Sequence, residues 1–192
     1  AGQVFSSVPA TVAGLDSGAG IALPIRAYTL DASETVAAEI TFTATGLSED
    51  DLTFYTKDPG NNNQIVDVTT LAGISIDEGT AGKVVLSADA DAFALLKDLS
   101  VSSTKDFRLD DRLNVESRFT VADGNADPVG TVVSSRLGIY KALPEVAFEF
   151  TSDTLKGTGT AEIGFDLDRD SLMPADIALS DVTILISDVP DN

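Results

Sequence analysis

Alternation of apolar and polar side chains with a period of two runs through most of this chain and restricts its fold more than any other feature. Residues Thr35 to Gly46 (TVAAEITFTATG) set Ile40, Phe42 and Ala44 against Glu39, Thr41 and Thr43, the spacing of a strand with one buried and one wet face. Similar short runs cover Leu52–Lys57, Gln64–Thr69, Lys83–Ala88, Leu113–Ala122, Val129–Tyr140, Glu145–Thr151, Thr160–Asp166 and Asp181–Asp188, preceded by the apolar run Ile21–Leu30. Turn formers separate them, among them Asp58-Pro-Gly-Asn-Asn-Asn63, Asp77-Glu-Gly-Thr80 and Asp123-Gly-Asn125. Only Ala90–Asp98 (ADAFALLKD) reads as helical, and nine residues make about two or three turns.

Many short strands with regular turn signals predict an all-β chain. The expected form is an immunoglobulin-like or cadherin-like β-sandwich with Greek-key connections, long loops and one short helix. At 192 residues and 43% hydrophobic, the chain can bury the core of one large sandwich or of two small ones. The reading adopted is one continuous, elaborated unit over residues 1–192, with a candidate internal boundary at Lys141–Pro144, after which a new series of strands begins.

Charge narrows the partners. With 31 acidic against 12 basic side chains, the formal net charge is −19, so a phosphate backbone or an anionic membrane surface is repelled and nucleic acid is not an expected partner. No apolar run reaches the roughly 18 to 20 residues of a membrane-spanning helix, so direct membrane insertion is not expected either. Asp supplies 23 of the acids and Glu only 8. Glu is the better helix former, so an excess of Asp places the charge in loops and turns. A loop Asp has two readings: a turn residue bonded to its own backbone, or an oxygen ligand for a hard cation. The chain has neither Cys nor His, which removes thiol nucleophiles, imidazole bases, Ser-His-Asp triads and the usual zinc sites.

Four groups of oxygen-bearing side chains are candidates for calcium. The first is Asp31-Ala-Ser33-Glu34, with two carboxylates and a hydroxyl in four residues, several of the six to eight oxygens calcium takes. The second is Asp123-Gly-Asn125-Ala-Asp127; its one-three-five oxygens resemble the opening of a calcium loop, but Pro128 stands where an EF-hand needs glycine, so a sandwich loop is the setting considered. The third is Asp166-Leu-Asp168-Arg-Asp170 with Asp176 nearby. On a strand its three Asp would share one face and repel unless a cation neutralised them. The fourth is Asp106 with Asp110 and Asp111. For each group, a solvated turn is the alternative. Paired carboxylates also serve glycoside hydrolases, but without Trp and with only Tyr28, Tyr55 and Tyr140 a sugar cleft is poorly supplied, and no enzymatic activity is expected.

The segments Ile21-Ala-Leu-Pro-Ile25, Leu30-Asp-Ala-Ser-Glu34 and Ile40-Thr-Phe-Thr-Ala-Thr-Gly-Leu47 resemble the module pattern of RTX-type bacterial adhesins. In that pattern an apolar strand runs into Asp-Gly-Ser-Glu and then into a strand closing on Gly-Leu; here Ala32 replaces the glycine. Leu99-Ser-Val-Ser, Asp106-Phe107, Leu113-Asn-Val-Glu-Ser-Arg-Phe-Thr-Val121 and Asp123-Gly124 are similar to the second half of such modules, so the likeness spans about Gly20 to Asp127. The resemblance implies calcium ligation by Asp31 and Glu34, type I export, and residence at the cell surface of a Gram-negative bacterium within a very long protein. The glycine-rich nonapeptide repeats of that family's carboxy-terminal β-roll are not present in this sequence. The end, Ile186-Ser-Asp-Val-Pro-Asp-Asn192, is similar to the junction of tandem cadherin-like modules. It implies Asp188, Asp191 and Asn192 as ligands shared with a neighbouring module.

Adhesins of this kind hold repeated spacer modules of about a hundred residues and larger modules that grip a target. The present chain is nearly twice spacer length, has irregular loops and shows no internal duplication. The expectation is therefore a module that binds several Ca2+ ions and grips a peptide or glycan on another cell or surface. The alternative is a calcium-rigidified spacer with no ligand of its own.

Overall fold

The computed structural model describes residues 3–108, 111–122, 129–141, 148–150 and 165–167. The chain divides into two compact units, Ala1–Leu143 and Pro144–Asn192. The described strands of the first unit, in chain order, are β1 (Phe5–Ser7), β2 (Thr11–Leu15), β3 (Ile21–Ala22), β4 (Arg26–Tyr28), β5 (Thr35–Thr43), β6 (Leu52–Asp58), β7 (Gln64–Asp67), β8 (Ile74–Thr80), β9 (Lys83–Ala88), β10 (Ser100–Ser103), β11 (Leu113–Ala122) and β12 (Val129–Tyr140). In the second unit, β13 (Phe148–Phe150) pairs antiparallel with β14 (Phe165–Leu167).

The first unit is a β-sandwich. Its larger sheet has the order β2-β12-β11-β5-β9-β8 and its smaller sheet the order β3-β10-β6-β7, with β1 and β4 forming a separate ribbon. The chain passes repeatedly from one sheet to the other, as Greek-key sandwiches do. The central ladder of the large sheet pairs β11 with both β5 and β12, antiparallel in each case. The β11 sequence LNVESRFTVA alternates without a break: Leu113, Val115, Ser117, Phe119 and Val121 are buried, and their sequence neighbours point out. One face of the ladder therefore makes the core and the other stays wet.

The core lies between the two sheets. From the large sheet come Ile40, Phe42, Val84, Leu86, Leu113, Phe119, Leu137 and Ile139, and from the small sheet Leu52, Phe54 and Val101. The Phe42 and Phe54 rings meet at a centroid distance of 4.9 Å, which joins the layers through an aromatic pair stronger than its buried area alone. Phe93 packs edge-on against Phe119 at 6.0 Å.

Three local expectations are corrected. The apolar run Ile21–Leu30 is not one strand: β3 belongs to the small sheet and β4 to the ribbon, with Leu23–Ile25 bridging them. Pro24 has no N–H to give a ladder. Leu23 and Ile25, both fully buried, donate instead to the carbonyls of Leu99 and Leu96 at 2.9 and 3.0 Å. The turn signals at Asp77–Thr80 mark a register shift inside β8, a bulge, and the chain reverses one step later through Gly82 at φ 81°. Ala90–Asp98 forms a 3-10 helix over Phe93–Asp98, and three shorter 3-10 turns sit at Glu49–Asp51, Pro59–Asn61 and Val68–Thr70. Just before the Phe93–Asp98 helix, Asp89 accepts from the N–H groups of Asp91 and Ala92, a turn chemistry that competes with α-helix.

The inter-sheet aromatic pair yields a prediction. Phe54→Ala is expected to destabilise the fold by about 3–5 kcal/mol, the usual cost of removing a buried ring and leaving a cavity. Urea unfolding checks it; a loss under about 1 kcal/mol would show that the layers are held together elsewhere.

Candidate functional site

The acidic loops fall at different places on the first unit. Asp31, Ser33 and Glu34 lie in the turn between β4 and β5. There Asp31 Oδ1 accepts from the Ser33 N–H at 2.9 Å and the Ser33 hydroxyl at 2.7 Å, while the Asp31 carbonyl accepts from the Glu34 N–H at 3.2 Å. The turn reading of this motif is thus realised, with Asp31 and Glu34 kept close together. Asp106 follows β10; its Oδ1 accepts from the Lys141 N–H at 2.5 Å and its Oδ2 meets the Arg108 guanidinium at 3.0 Å. Asp111 is exposed, and its N–H donates to the Arg108 carbonyl. Among the described residues no three acidic side chains converge as a metal cage. Asp166 lies in β14, opposite Glu149. Asp110, Asp123, Asn125, Asp127, Asp168, Asp170, Asp176, Asp188, Asp191 and Asn192 lie outside the described residues.

One acid that the sequence reading passed over occupies the most structured polar site. Asp16, at the end of β2, is 2% exposed. Its Oδ1 accepts from the N–H groups of Gly18 at 2.8 Å and Gly20 at 3.1 Å; its Oδ2 accepts from the Ser102 hydroxyl at 2.7 Å, the Ser103 N–H at 2.9 Å and the Lys141 ammonium at 3.2 Å. A single carboxylate so ties the β2–β3 loop to β10 and to the exit of β12. Burial alone would raise its pKa, but the donors of Ser103, Ser102, Gly18 and Lys141 outweigh burial and hold it well below the ordinary carboxylate range. Gly20 is required for this loop: at φ +83° a Cβ would lie 3.0 Å from the Val101 carbonyl carbon and 3.1 Å from Ser100 Cβ. The sequence signal was Asp16-Ser-Gly-Ala-Gly20, an acid followed by two glycines free to turn their N–H groups back onto it. A second, shallower clamp pairs Asp51 with Lys105 at 2.8 Å. Burial opposes ionisation of Asp51, and Lys105, the Ser48 N–H and Thr104 lower its pKa despite it.

The outer face of the large sheet carries two neighbouring hollows. A hollow of about 680 Å3 crosses its strands, and a neighbouring hollow of about 670 Å3 lies beyond Glu39 and Arg118, which line both. Register places Lys83 of β9, Thr43 of β5, Asn114 of β11, Arg136 of β12 and Thr11 of β2 in one row across the first hollow. In the next row but one, Arg118 stands opposite Glu39, and it lies 3.7 Å from Glu116. All of these side chains are exposed. The arrangement suits polar and ionic contact with an elongated partner; it offers no nucleophile paired with a base.

No protein-family model matches the chain, and no curated protein sequence matches it. Among solved structures, it is similar to the collagen binding subdomain of the Enterococcus faecalis surface protein ACE, at 11% identity and a TM-score of 0.41 over 70% of this chain and 96% of that one. It is also similar to murine CRIg, at 12% identity and 0.32 over 73% and 100%, and to a DUF4466 family protein from Parabacteroides merdae, at 12% and 0.29 over 77% and 48%. All three scores lie below 0.5, so the sandwich stands on its own strand order and register. Among the described residues no helix is long and apolar enough to cross a membrane.

Asp16 sets a pH-dependent prediction. Because its folded pKa is depressed, its stabilisation is fully present above about pH 4, the unfolded value, and is lost as the pH falls below it. Asp16→Ala strands Lys141 and several N–H groups, and is expected to cost about 3–5 kcal/mol near pH 7. Denaturant unfolding near pH 7 and near pH 3 should show the gap to the unmodified chain narrowing in acid. A gap that stays constant would mean that Asp16 contributes through packing rather than charge.

Proposed function

We propose that this chain is a ligand-binding adhesion module without enzymatic activity, displayed outside the cell as part of a bacterial surface adhesin of RTX type. The observation that supports it best is the open outer face of the large sheet. Five strands there present exposed polar and charged side chains over a concave surface, and Lys83 and Arg136 have no ion-pair partner among the described residues. Exposed and unpaired, both cations are open to an anionic group of a ligand. The absence of Cys and His from the sequence supports binding over catalysis, since the commonest nucleophiles and bases are missing.

Calcium belongs to the proposal. Support comes from the surplus of loop Asp and from Asp31 and Glu34, joined by a backbone bond in one turn where Asp31 is exposed and Glu34 half-buried. Cell-surface location in a Gram-negative bacterium, type I export and neighbouring modules of the same long protein follow from the RTX resemblance. The ligand is a peptide or a glycan on another cell or surface. A spacer module is the second reading, favoured by the carboxylates of Asp16, Asp31 and Asp67, each of which is bonded to nearby N–H or hydroxyl groups.

Calorimetric titration against a panel of short peptides and simple sugars, first with calcium and then with EDTA, separates the two. The binding module predicts at least one ligand whose heat disappears on chelation, together with a lowered melting temperature, because an ion bound only by the folded chain stabilises it. Silence across the panel with calcium present favours the spacer. A melting temperature unchanged by EDTA removes calcium from both readings.

A further inference from the structure

We infer that the hollow across the large sheet receives an extended acidic peptide, with two of its carboxylates seated on Lys83 and Arg136. The inference deepens the ligand-binding reading above and rests on it.

Charge is the first ground. The chain as a whole carries −19, yet this hollow is lined by Lys83, Arg118 and Arg136 against only Glu39 and Glu116. Arg118 lies 3.7 Å from Glu116 and is the register partner of Glu39; three cations against two anions leave a surplus of one positive charge, and Lys83 and Arg136 form no ion pair among the described residues. At physiological ionic strength charges beyond about 8 Å are largely screened. A ligand in the hollow therefore meets a local surplus of cation, not the acidity of the whole molecule.

Spacing is the second ground. Lys83, Thr43, Asn114 and Arg136 are successive register partners on β9, β5, β11 and β12. Three inter-strand steps at about 4.8 Å place the two cations roughly 14 Å apart. An extended peptide laid across the strands advances about 3.3 Å per residue and turns every second side chain toward the sheet. Residues i and i+4 then face the sheet about 13 Å apart, which matches Lys83 and Arg136. Residue i+2 faces Thr43 and Asn114, whose hydroxyl and amide suit a small polar side chain. The recognised pattern is thus an acid, a small polar residue and an acid at alternate positions. Arg136 adds direction to the contact, because its fork can grip a carboxylate with two bonds while Lys83 acts as a point charge.

The test uses the whole chain and fluorescein-labelled decapeptides of Gly and Ser carrying two glutamates four positions apart, two adjacent glutamates, or two glutamines. Fluorescence anisotropy should rank the four-apart peptide tightest and the glutamine peptide at least about tenfold weaker, with affinity falling as salt rises. Lys83→Gln and Arg136→Gln are expected to weaken the four-apart peptide about threefold each, and Lys83→Glu with Arg136→Glu by more than tenfold. Both side chains are exposed, so the melting temperature should not move. Equal affinity for the glutamine peptide, or a double charge reversal without effect, would overturn the inference. Binding of a heparin oligosaccharide with no peptide bound would overturn the peptide assignment. If a ligand from the wider panel binds regardless of the charge reversals, only this seat falls; if neither the panel nor the peptides bind, the binding-module reading falls with it.

Discussion

One-sided burial of the six-stranded sheet is the constraint on which the rest of the molecule depends. Side chains on a strand alternate between faces, so committing Leu113, Val115, Phe119 and Val121 to the interior fixes Asn114, Glu116, Arg118 and Thr120 on the exterior. A slip of one residue in β11 against β5 would bury Glu116 and Arg118 and expose Phe119, at a cost of several kcal/mol for each buried charge. The core thus sets the register, and the register sets the row of Lys83, Thr43, Asn114, Arg136 and Thr11. The proposed binding face is a by-product of packing the opposite side.

Hydrophobic burial fixes the layers but is non-directional, and it leaves open how the short edge elements attach. Asp16 supplies that direction. Its five donors come from the β2–β3 loop, from β10 and from Lys141 just beyond β12, joining the small sheet to the parallel β2–β12 edge of the large one. A carboxylate this buried would be costly if unpaired. With its lone pairs satisfied, the same low-dielectric surroundings strengthen each bond. Since β2 bounds the outer hollow through Thr11, the clamp also holds one wall of the proposed site.

Strands with one wet face were legible in the sequence, because alternation reports burial directly: β9 and β11 have the bounds their patterns predict; β12 has its expected bounds too, although Leu137, Gly138, Ile139 and Tyr140 are all buried. Fully apolar runs were not legible in the same way. Ile21–Leu30 is buried on both sides of Pro24 without being continuous, and hydrophobicity alone cannot distinguish a strand from a bridge between sheets. Gly-rich polar stretches hide two outcomes, the bulge in β8 and the Asp16 loop, since both use the residues that ordinary turns use. The row on the outer face could not be read at all. Its members come from five segments of the chain, and only the pairing of strands sets them side by side. For Asp31 the sequence left two roles open, turn and ligand. The bonds to Ser33 show the turn, and a turn can still present its remaining oxygens to an ion.

In the proposed reading, the core builds a separable working surface on the outside of the large sheet. Chemical-shift mapping of the isotopically labelled chain, titrated with the peptide bearing two glutamates four apart, tests it most directly. The backbone amides of Lys83, Thr43, Asn114 and Arg136 should move together and saturate at one concentration, while those of the inward-facing Phe42, Val115 and Leu137 stay still. Shifts confined to the Asp31–Glu34 turn, or spread through the core, would contradict it.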